Sequence, residues 1–350
     1  MRSRVHGGKN NFAENALAFS AIPGRVPRFE LEPVPVPSPR TTARAVFLAA
    51  AILGLTAGTA SARTDRQPEP PAGKAPPKPI PAPKPEPAAR TIVFPVVGPA
   101  RFTDDYGDAR GNGRHDGNDI MAPKKALAVA AEAGKVKLWT TSWRAGCMLY
   151  LYGKSGTTYL YIHLNNDLTA KNDNRGKCVA GVAYAKGLKT GDAVAAGQPV
   201  GYVGDSGDAD GIAAHLHFEV HPNDKGSVNP FPFLRKARRV LFAAPPQSIV
   251  SLALRGSFVA TEPAKVEVKV DSLRVSTGLQ VAKIGRILRL RLPETAFVEW
   301  VGGIPVAVAR LTTIRKGQAL TAYTAEDFVT LDAQLGKPDV LEVRRILLAR

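Results

Sequence analysis

The 350-residue sequence contains only two cysteines, which excludes a densely cross-linked secreted scaffold and the paired thiolates of a structural zinc finger. It also lacks an apolar run long enough to span a membrane comfortably. It has no helix-turn-helix pattern, zinc-finger spacing or aromatic RNA-binding signature, so we expect no nucleic-acid partner.

Negative charge is also scarce, since 30 Asp and Glu face 47 Lys and Arg, for a formal charge of +17. This balance favours an acidic partner, such as an anionic lipid or an anionic cell-wall polymer. The hydrophobic content of 44% and the charged content of 22% are typical of a folded soluble protein. The length allows two modest domains or one large one.

The N-terminal residues 1–62 have the pattern of a secretory signal peptide with an overlong lead. Arg40 and Arg44 precede an apolar run, residues 45–55, and the small residues Ala60-Ser61-Ala62 follow it. The alternative is an uncleaved membrane anchor. Because a lead of about forty residues is long for such a signal, we expect the true start to lie later, at a valine such as Val34 or Val36. Residues 63–350 carry 40 basic and 27 acidic residues, or +13, so the basic character remains after cleavage.

Residues 63–90 are predicted to form a Pro-rich linker, because the segment 67–89 consists mainly of Pro, Ala and Lys. Such a run stays extended and forms a semi-rigid spacer that could reach into a polymer mesh. A plain disordered linker without that role is the alternative.

Residues 91–240 are predicted to form an all-β domain with an antiparallel sandwich or barrel-like core. The candidate strands are Lys135–Thr140, Met148–Tyr152, Thr158–Leu164, Pro199–Val203 and His215–Val220. Within the segment, Cys147 and Cys178 are expected to form a disulfide if the chain is exported, with two unpaired buried thiols as the alternative.

Residues 246–350 are predicted to form a small β-rich accessory domain without chemistry of its own, since they contain no His, Cys or Met. Gly302-Gly303 lies between two apolar runs and indicates a two-residue hairpin. The C-terminal segment 340–350 is predicted to form a short amphipathic helix.

Four of the six histidines fall into three short motifs. The first is Gly113-Arg-His115-Asp-Gly-Asn-Asp119, in which Gly117 and Asn118 argue against a helix, so a turn should bring His115 and Asp119 together. Imidazole and carboxylate groups are both good zinc ligands.

The other two motifs lie on predicted strands. In the strand ending at His163, alternation puts Leu160, Ile162 and Leu164 on the core face and His163 on the opposite face with Tyr159 and Tyr161. In His215-Leu-His217-Phe-Glu219, the apolar residues should point inward and His215, His217 and Glu219 outward. Three protein ligands with one open position are typical of catalytic zinc. A pair of surface histidines is the alternative for the third motif.

The three motifs resemble those of the lysostaphin-type (LytM) zinc endopeptidases, which cut peptidoglycan peptides. The resemblance covers about residues 93–235 and includes the glycine-punctuated segment Gly191–Gly207. It implies a peptidase fold of the duplicated hybrid motif type, with His115, Asp119 and His217 as zinc ligands and His163 and His215 as the catalytic pair. The sequence departs from the family pattern in the long stretch between His163 and Gly191 and in the segment 208–214. These departures leave the substrate preference open.

Weaker signals have plainer interpretations. Asp205, Asp208 and Asp210 resemble part of a calcium loop, but the closing Glu is absent, so solvated turn residues are expected. Glu219 is expected either to orient a histidine or to face solvent, and His221 to lie outside the site. Trp139 and Trp143 could line a groove, although core packing is the expected role.

The leading hypothesis is an exported zinc endopeptidase of a bacterial cell wall, secreted, periplasmic or wall-associated, with peptidoglycan as its partner and no stable membrane association after cleavage. The alternatives are a non-catalytic regulator of other wall hydrolases and a wall-binding protein whose C-terminal module does the work. No oligomeric state is predicted.

Overall fold

The computed structural model describes residues 91–350 except Asn112 and Asp339, all within one compact unit, Lys78–Arg350. The predicted signal peptide and Pro-rich linker lie outside the described residues. None of the described helices has the length and apolar character needed to cross a membrane.

Strands dominate the described chain, and helices are few and short. The strands are β1 (Ala109–Arg110), β2 (Gly113–Arg114), β3 (Asn118–Met121), β4 (Leu127–Val129), β5 (Gly134–Ser142), β6 (Gly146–Gly153), β7 (Thr157–Leu164), β8 (Ala193–Val194), β9 (Pro199–Tyr202), β10 (His215–Pro222), β11 (Ile249–Val250), β12 (Leu252–Glu262), β13 (Lys265–Val275), β14 (Gln280–Arg291), β15 (Phe297–Trp300), β16 (Ile304–Val306), β17 (Ala319–Thr324), β18 (Asp327–Phe328) and β19 (Val343–Leu348). The helices are α1 (Phe231–Lys236) and α2 (Leu331–Leu335), with 3₁₀ turns at Gly207–Ala209 and Val308–Thr313.

The first large sheet has the order β3-β10-β7-β6-β5-β8, and all its neighbouring strands are antiparallel. The five strands predicted in this region are all present, with bounds shifted by two residues or fewer. A two-stranded sheet, β4 and β9, contributes Ala128 and Val200 to the core beneath it. The buried Tyr161 hydroxyl links the two sheets, because it donates to Val129 O at 2.9 Å and accepts from Ala131 N at 2.7 Å.

The second large sheet has the order β14-β13-β12-β17-β19-β15-β16, in which only β15 and β19 are parallel. A hairpin is present at Gly302-Gly303, since β15 and β16 pair on either side of it, but its loop has three residues, 301–303, and not the predicted two. The predicted helix at 340–350 is wrong, because this segment forms β19 in the interior of the sheet. Val343, Ile346 and Leu348 are buried there, and hydrogen bonding to two neighbouring strands outweighs a helix-like apolar spacing.

A hydrophobic core joins the second sheet to the first part of the chain. Val93, Val97, Leu127 and Val129 belong to the same cluster of buried residues as the inner face of strands β12–β14. The all-β, mainly antiparallel fold class is confirmed, and the described residues form no closed barrel.

Cys147 and Cys178 form a disulfide. Cys147 lies on β6, whereas Cys178 lies in the long segment between β7 and β8 that departs from the family pattern. The bond therefore fastens that segment to the first sheet.

Candidate metal centre

The side chains of His115, Asp119 and His217 meet at one end of strands β3 and β10. These strands are antiparallel neighbours, and their register places His217 directly opposite Asp119. Residues opposite each other on neighbouring strands have side chains close enough to touch. His115 lies in the turn just before β3, as the glycine and asparagine of its motif predicted.

The three ligand atoms form a nearly regular triangle. Asp119 Oδ1 lies 3.1 Å from His115 Nε2 and 3.0 Å from His217 Nδ1, and the two nitrogens lie 2.9 Å apart. In a tetrahedral zinc site, bonds of about 2.0–2.1 Å put neighbouring ligand atoms roughly 3.3 Å apart. The spacing of these atoms thus fits a small tetrahedral cation.

Hydrogen bonds on the far side of each ring determine which nitrogens carry lone pairs. His115 Nδ1 donates to the carbonyl oxygen of Asp105 at 2.8 Å, so its neutral ring has the lone pair on Nε2. His217 Nε2 donates to Glu219 Oε1 at 3.0 Å, so Nδ1 is the nitrogen whose lone pair the ring would offer to a cation that replaces its proton. Two nitrogen lone pairs and a carboxylate oxygen then face one point, an arrangement that a cation would stabilise.

The electrostatics of the cluster also favour positive charge. Burial opposes protonation of His217, but hydrogen bonds to Asp119 and Glu219 raise its pKa to about 9. Burial would raise the pKa of Asp119, but its hydrogen bonds to His115 and His217 hold that pKa below the usual range. Arg110 donates to the second oxygen of Asp119 at 2.9 Å and so holds the carboxylate in place.

Glu219 orients the ring of His217 by accepting the hydrogen bond from its Nε2. This is the first of the two roles predicted for Glu219. Its other oxygen accepts from His221 Nε2 at 2.6 Å, and His221 Nδ1 donates to Lys225 O at 2.7 Å. His221 therefore touches the site indirectly, through Glu219, whereas the sequence predicted that it lies outside.

The inward alternation predicted for β10 is confirmed, since Leu216, Phe218 and Val220 are fully buried. The alternation predicted for β7 is wrong. Tyr159 and Tyr161 belong to the core cluster and pack on Phe218, while Ile162 lines the cleft.

A bulge explains how His163 nevertheless reaches the cleft. The pairing of β6 with β7 shifts register between Cys147 and Leu149, and His163 has a left-handed backbone with φ of 60°. The extra residue turns the His163 side chain away from the core face that Tyr161 occupies. Leu164, the next residue, is buried in the core again.

His163 and His215 stand beside the triad with similar hydrogen bonding. His163 Nδ1 donates to Ser206 O at 2.8 Å, and His215 Nδ1 donates to Ala213 O at 2.9 Å. In either ring, the nitrogen that faces the cleft is therefore Nε2. The ring centroids lie 5.0 Å apart, and His215 Nε2 lies 3.8 Å from Asp119 Oδ1. Burial and the neighbouring His215 lower the pKa of His163 to about 4, so this ring is neutral at neutral pH.

All five predicted site residues line one cleft of about 400 Å³. Its walls also include three arginines that sequence reasoning missed, Arg110, Arg114 and Arg144. Arg110 precedes the first motif and Arg114 lies within it, but arginine is common on surfaces, and spacing alone gave no signal for them.

Gly117 permits the close approach of the first motif to β10. A Cβ atom at this position would lie 2.7 Å from both His217 Nε2 and the carbonyl oxygen of Phe218. Only glycine fits here without displacing one of them.

Of the three aspartates predicted as solvated turn residues after β9, Asp208 and Asp210 are exposed, and only Asp205 differs. Asp205 is buried and forms an ion pair with Lys124 at 2.7 Å, and Lys124 also pairs with Asp167 at 2.7 Å. Asp208 is exposed, lines the cleft and lies 3.8 Å from His163 Nε2.

The chain resembles a curated endopeptidase. It is 29% identical over 162 residues to an L-Ala--D-Glu endopeptidase of Bacillus subtilis, a match that covers 41% of this chain and 43% of that protein. The chain thus matches less than half of its relative's length. The resemblance to lysostaphin/LytM-type peptidases indicated by the motifs is thereby confirmed. No family model matches the chain.

Similar solved structures include the catalytic domain of the antimicrobial peptidase lysostaphin from Staphylococcus simulans, at 25% identity and a TM-score of 0.31, which covers 39% of this chain and 92% of that one. A zinc-containing peptidase from Vibrio cholerae is 23% identical with a TM-score of 0.29, and the match covers 45% of this chain and 41% of that one.

Proposed function

We propose that the protein is an exported zinc-dependent endopeptidase that hydrolyses peptide bonds in the stems or cross-links of peptidoglycan. His115, Asp119 and His217 would hold the zinc ion, and His163 and His215 would act on the substrate. The observation that carries this proposal is the triangle of two imidazole nitrogens and one carboxylate oxygen, with pairwise distances of 2.9–3.1 Å, beside two further histidines in one cleft.

Zinc bound by three protein ligands supplies Lewis acidity and lowers the pKa of water towards neutrality. The chain's own contribution begins with Asp105 and Glu219, which fix the rings of His115 and His217 through hydrogen bonds. Such outer hydrogen bonds orient metal-binding rings and maintain their basicity.

His163 and His215 are suited to moving a proton. Each has its Nδ1 occupied by a backbone carbonyl, so each offers Nε2 to the cleft. A neutral ring can accept the proton of the attacking water, and the resulting imidazolium can donate it onwards. We propose that one of the two accepts this proton at Nε2, while the other, in its protonated form, donates from Nε2 to the oxyanion at the attacked carbonyl.

The substrate class is proposed from charge and from the curated relative. That relative is an L-Ala--D-Glu endopeptidase by name, and peptides that contain D-Glu occur in peptidoglycan stems. The formal charge of +13 on residues 63–350 favours an anionic wall polymer. Arg114 and Arg144 add positive charge to the cleft itself.

The test is cleavage of purified peptidoglycan by the metal-stripped protein, by the same protein after zinc is added back, and by His217→Ala. We expect mass spectrometry to detect released peptide fragments only in the zinc-loaded wild-type sample. Equal release by the stripped protein would contradict the proposal. If His217→Ala cleaved nothing but retained the cellular effect of the wild type, the regulator alternative would replace it.

A further inference from the structure

A second groove adjoins the catalytic cleft, with a volume of about 500 Å³. Both walls continue from one cavity into the other. Trp143 lines the groove and the next residue, Arg144, lines the cleft, while on the facing wall Gly207 lines the groove and Asp208 the cleft. A single extended ligand could therefore occupy both cavities.

Trp143 lines this groove with an exposed indole ring. Its side chain is 77% exposed, more than that of any other large hydrophobic residue in the described chain, which differs from the core packing expected from sequence. Trp139, four residues earlier, packs its ring edge-on against Tyr150 instead. An exposed indole leaves a large apolar face in water, and such faces are frequent anchors in binding sites. The guanidinium carbon of Arg144 lies 5.2 Å from the centroid of the Trp143 ring, within the range of a cation–π contact.

The remainder of the groove is polar but not acidic. Thr140 and Ser142 supply hydroxyls and Lys177 an ammonium group, while the lining Asn166 donates to Asn174 Oδ1 at 2.8 Å. Among the described residues, no carboxylate lines this groove, whereas Asp116, Asp119, Asp208 and Glu219 line the cleft. A flat aromatic face surrounded by neutral and cationic hydrogen-bonding groups suits a pyranose ring that carries hydroxyl and acetamido groups.

The groove is fixed in shape by three independent connections. The Cys147–Cys178 disulfide fastens one wall to β6. Lys124 bridges Asp167, in the long segment after β7, and Asp205, which follows β9. Further along that segment, Asn172 and Asn174 donate to Asp210 Oδ1 at 2.6 and 2.9 Å. A preformed groove avoids the entropic cost of ordering loops on binding.

We propose that this groove is a saccharide subsite, in which Trp143 stacks on an N-acetylated pyranose of a glycan whose attached peptide lies in the cleft. The inference rests on the proposed peptidoglycan substrate and specifies how its glycan part is recognised. It also gives a role to the disulfide-bonded segment that departs from the family pattern.

The first test measures binding without catalysis. A Trp139→Phe/Trp300→Phe variant leaves Trp143 as the only tryptophan, and its fluorescence is followed during titration with the tetrasaccharide of β-1,4-linked N-acetylglucosamine. We expect a saturable change in emission, and none with maltotetraose, which lacks acetamido groups. An emission spectrum that does not respond to the N-acetylated tetrasaccharide would overturn the proposal.

The second test compares cleavage of a glycan-linked stem peptide with cleavage of the same peptide free of glycan. Trp143→Ala should lower kcat/KM for the linked substrate by about tenfold, the effect of losing a binding anchor. The same substitution should leave kcat/KM for the free peptide unchanged. Phe328→Ala, which removes an exposed aromatic of the C-terminal region, serves as the control and should change neither rate.

The outcomes separate this inference from the proposed function. Equal cleavage of both substrates by wild type and Trp143→Ala would overturn the saccharide subsite and leave the peptidase proposal intact. An equal loss on both substrates would assign Trp143 to the peptide and overturn the inference as well. A wild-type protein that binds the tetrasaccharide but cleaves neither substrate would contradict the peptidase proposal alone.

Discussion

His217 pairs with Asp119 across strands β3 and β10, and His217 Nδ1 lies 3.0 Å from Asp119 Oδ1. This contact joins the first histidine motif to the third, which are separated by almost a hundred residues. His215 lies farther from this carboxylate than His217 does, since its Nε2 is 3.8 Å from the same oxygen.

The first prediction distinguishes the proposed zinc ligands from the proposed catalytic histidines. His217→Ala should lose zinc, because it removes one of three ligand atoms. His163→Ala should retain zinc but lower kcat by about 10²–10⁴-fold, the usual contribution of a positioned acid or base. Metal analysis of the dialysed proteins and rates on peptidoglycan measure the two effects. Loss of zinc from His163→Ala to the same extent would contradict the assignment.

The second prediction concerns Gly117. Gly117→Ala should reduce zinc affinity and activity together, because its methyl group would collide with His217 Nε2 and the Phe218 carbonyl. Gly226→Ala is the matched control, since a Cβ there meets nothing within 4 Å. Competition with a chromogenic chelator measures the affinity of each variant. Normal zinc affinity in Gly117→Ala would contradict the prediction, because it would show that the His217 ring can shift without weakening zinc binding.

The third prediction tests the support that Glu219 gives to His217. Glu219→Gln should weaken zinc binding by about 10–100-fold, as loss of an outer hydrogen-bonding partner does. His221→Gln should have a smaller effect, because His221 contacts Glu219 and not the ligand ring. Zinc affinities measured by chelator competition should follow the order wild type, His221→Gln, Glu219→Gln. An unchanged affinity in Glu219→Gln would remove its orienting role.

The fourth prediction concerns the pH dependence of stability. Burial would raise the pKa of Asp167, but its bond to Lys124 and the backbone N–H groups of Asn174 and Asp173 lower it. A carboxyl whose pKa is lower in the folded state stabilises the fold above its unfolded pKa of about 3.9, and this contribution disappears as the pH falls through the folded value.

Asp167→Asn should therefore lower the free energy of unfolding by about 1.5–3 kcal/mol at neutral pH, the range for hydrogen bonds to charged groups. The difference from wild type should shrink below about pH 4. Urea unfolding at a series of pH values measures it, with Asp271→Asn as an exposed control. A difference that persisted undiminished in acid would mean that packing, not charge, stabilises this position.

The sequence by itself predicted the all-β class, five strands of the first region to within two residues, and five candidate site residues that the structure brings into one cleft. Strand periodicity is a local property, and on β10 it correctly separated His215, His217 and Glu219, which line the cleft, from the alternating apolar residues of the core. The Gly and Asn of the first motif likewise excluded a helix between His115 and Asp119.

Only the tertiary structure decided the remaining features, because each depends on contacts between distant segments. The bulge at His163 arises from pairing with β6, so alternation along β7 alone assigned Tyr159 and Tyr161 to the wrong face. β19 is a strand because two neighbouring strands flank it, although its apolar spacing resembles that of a helix. The groove that Trp143 lines has no local signal either, since its other wall belongs to the long segment after β7, which the Cys147–Cys178 disulfide fastens to β6.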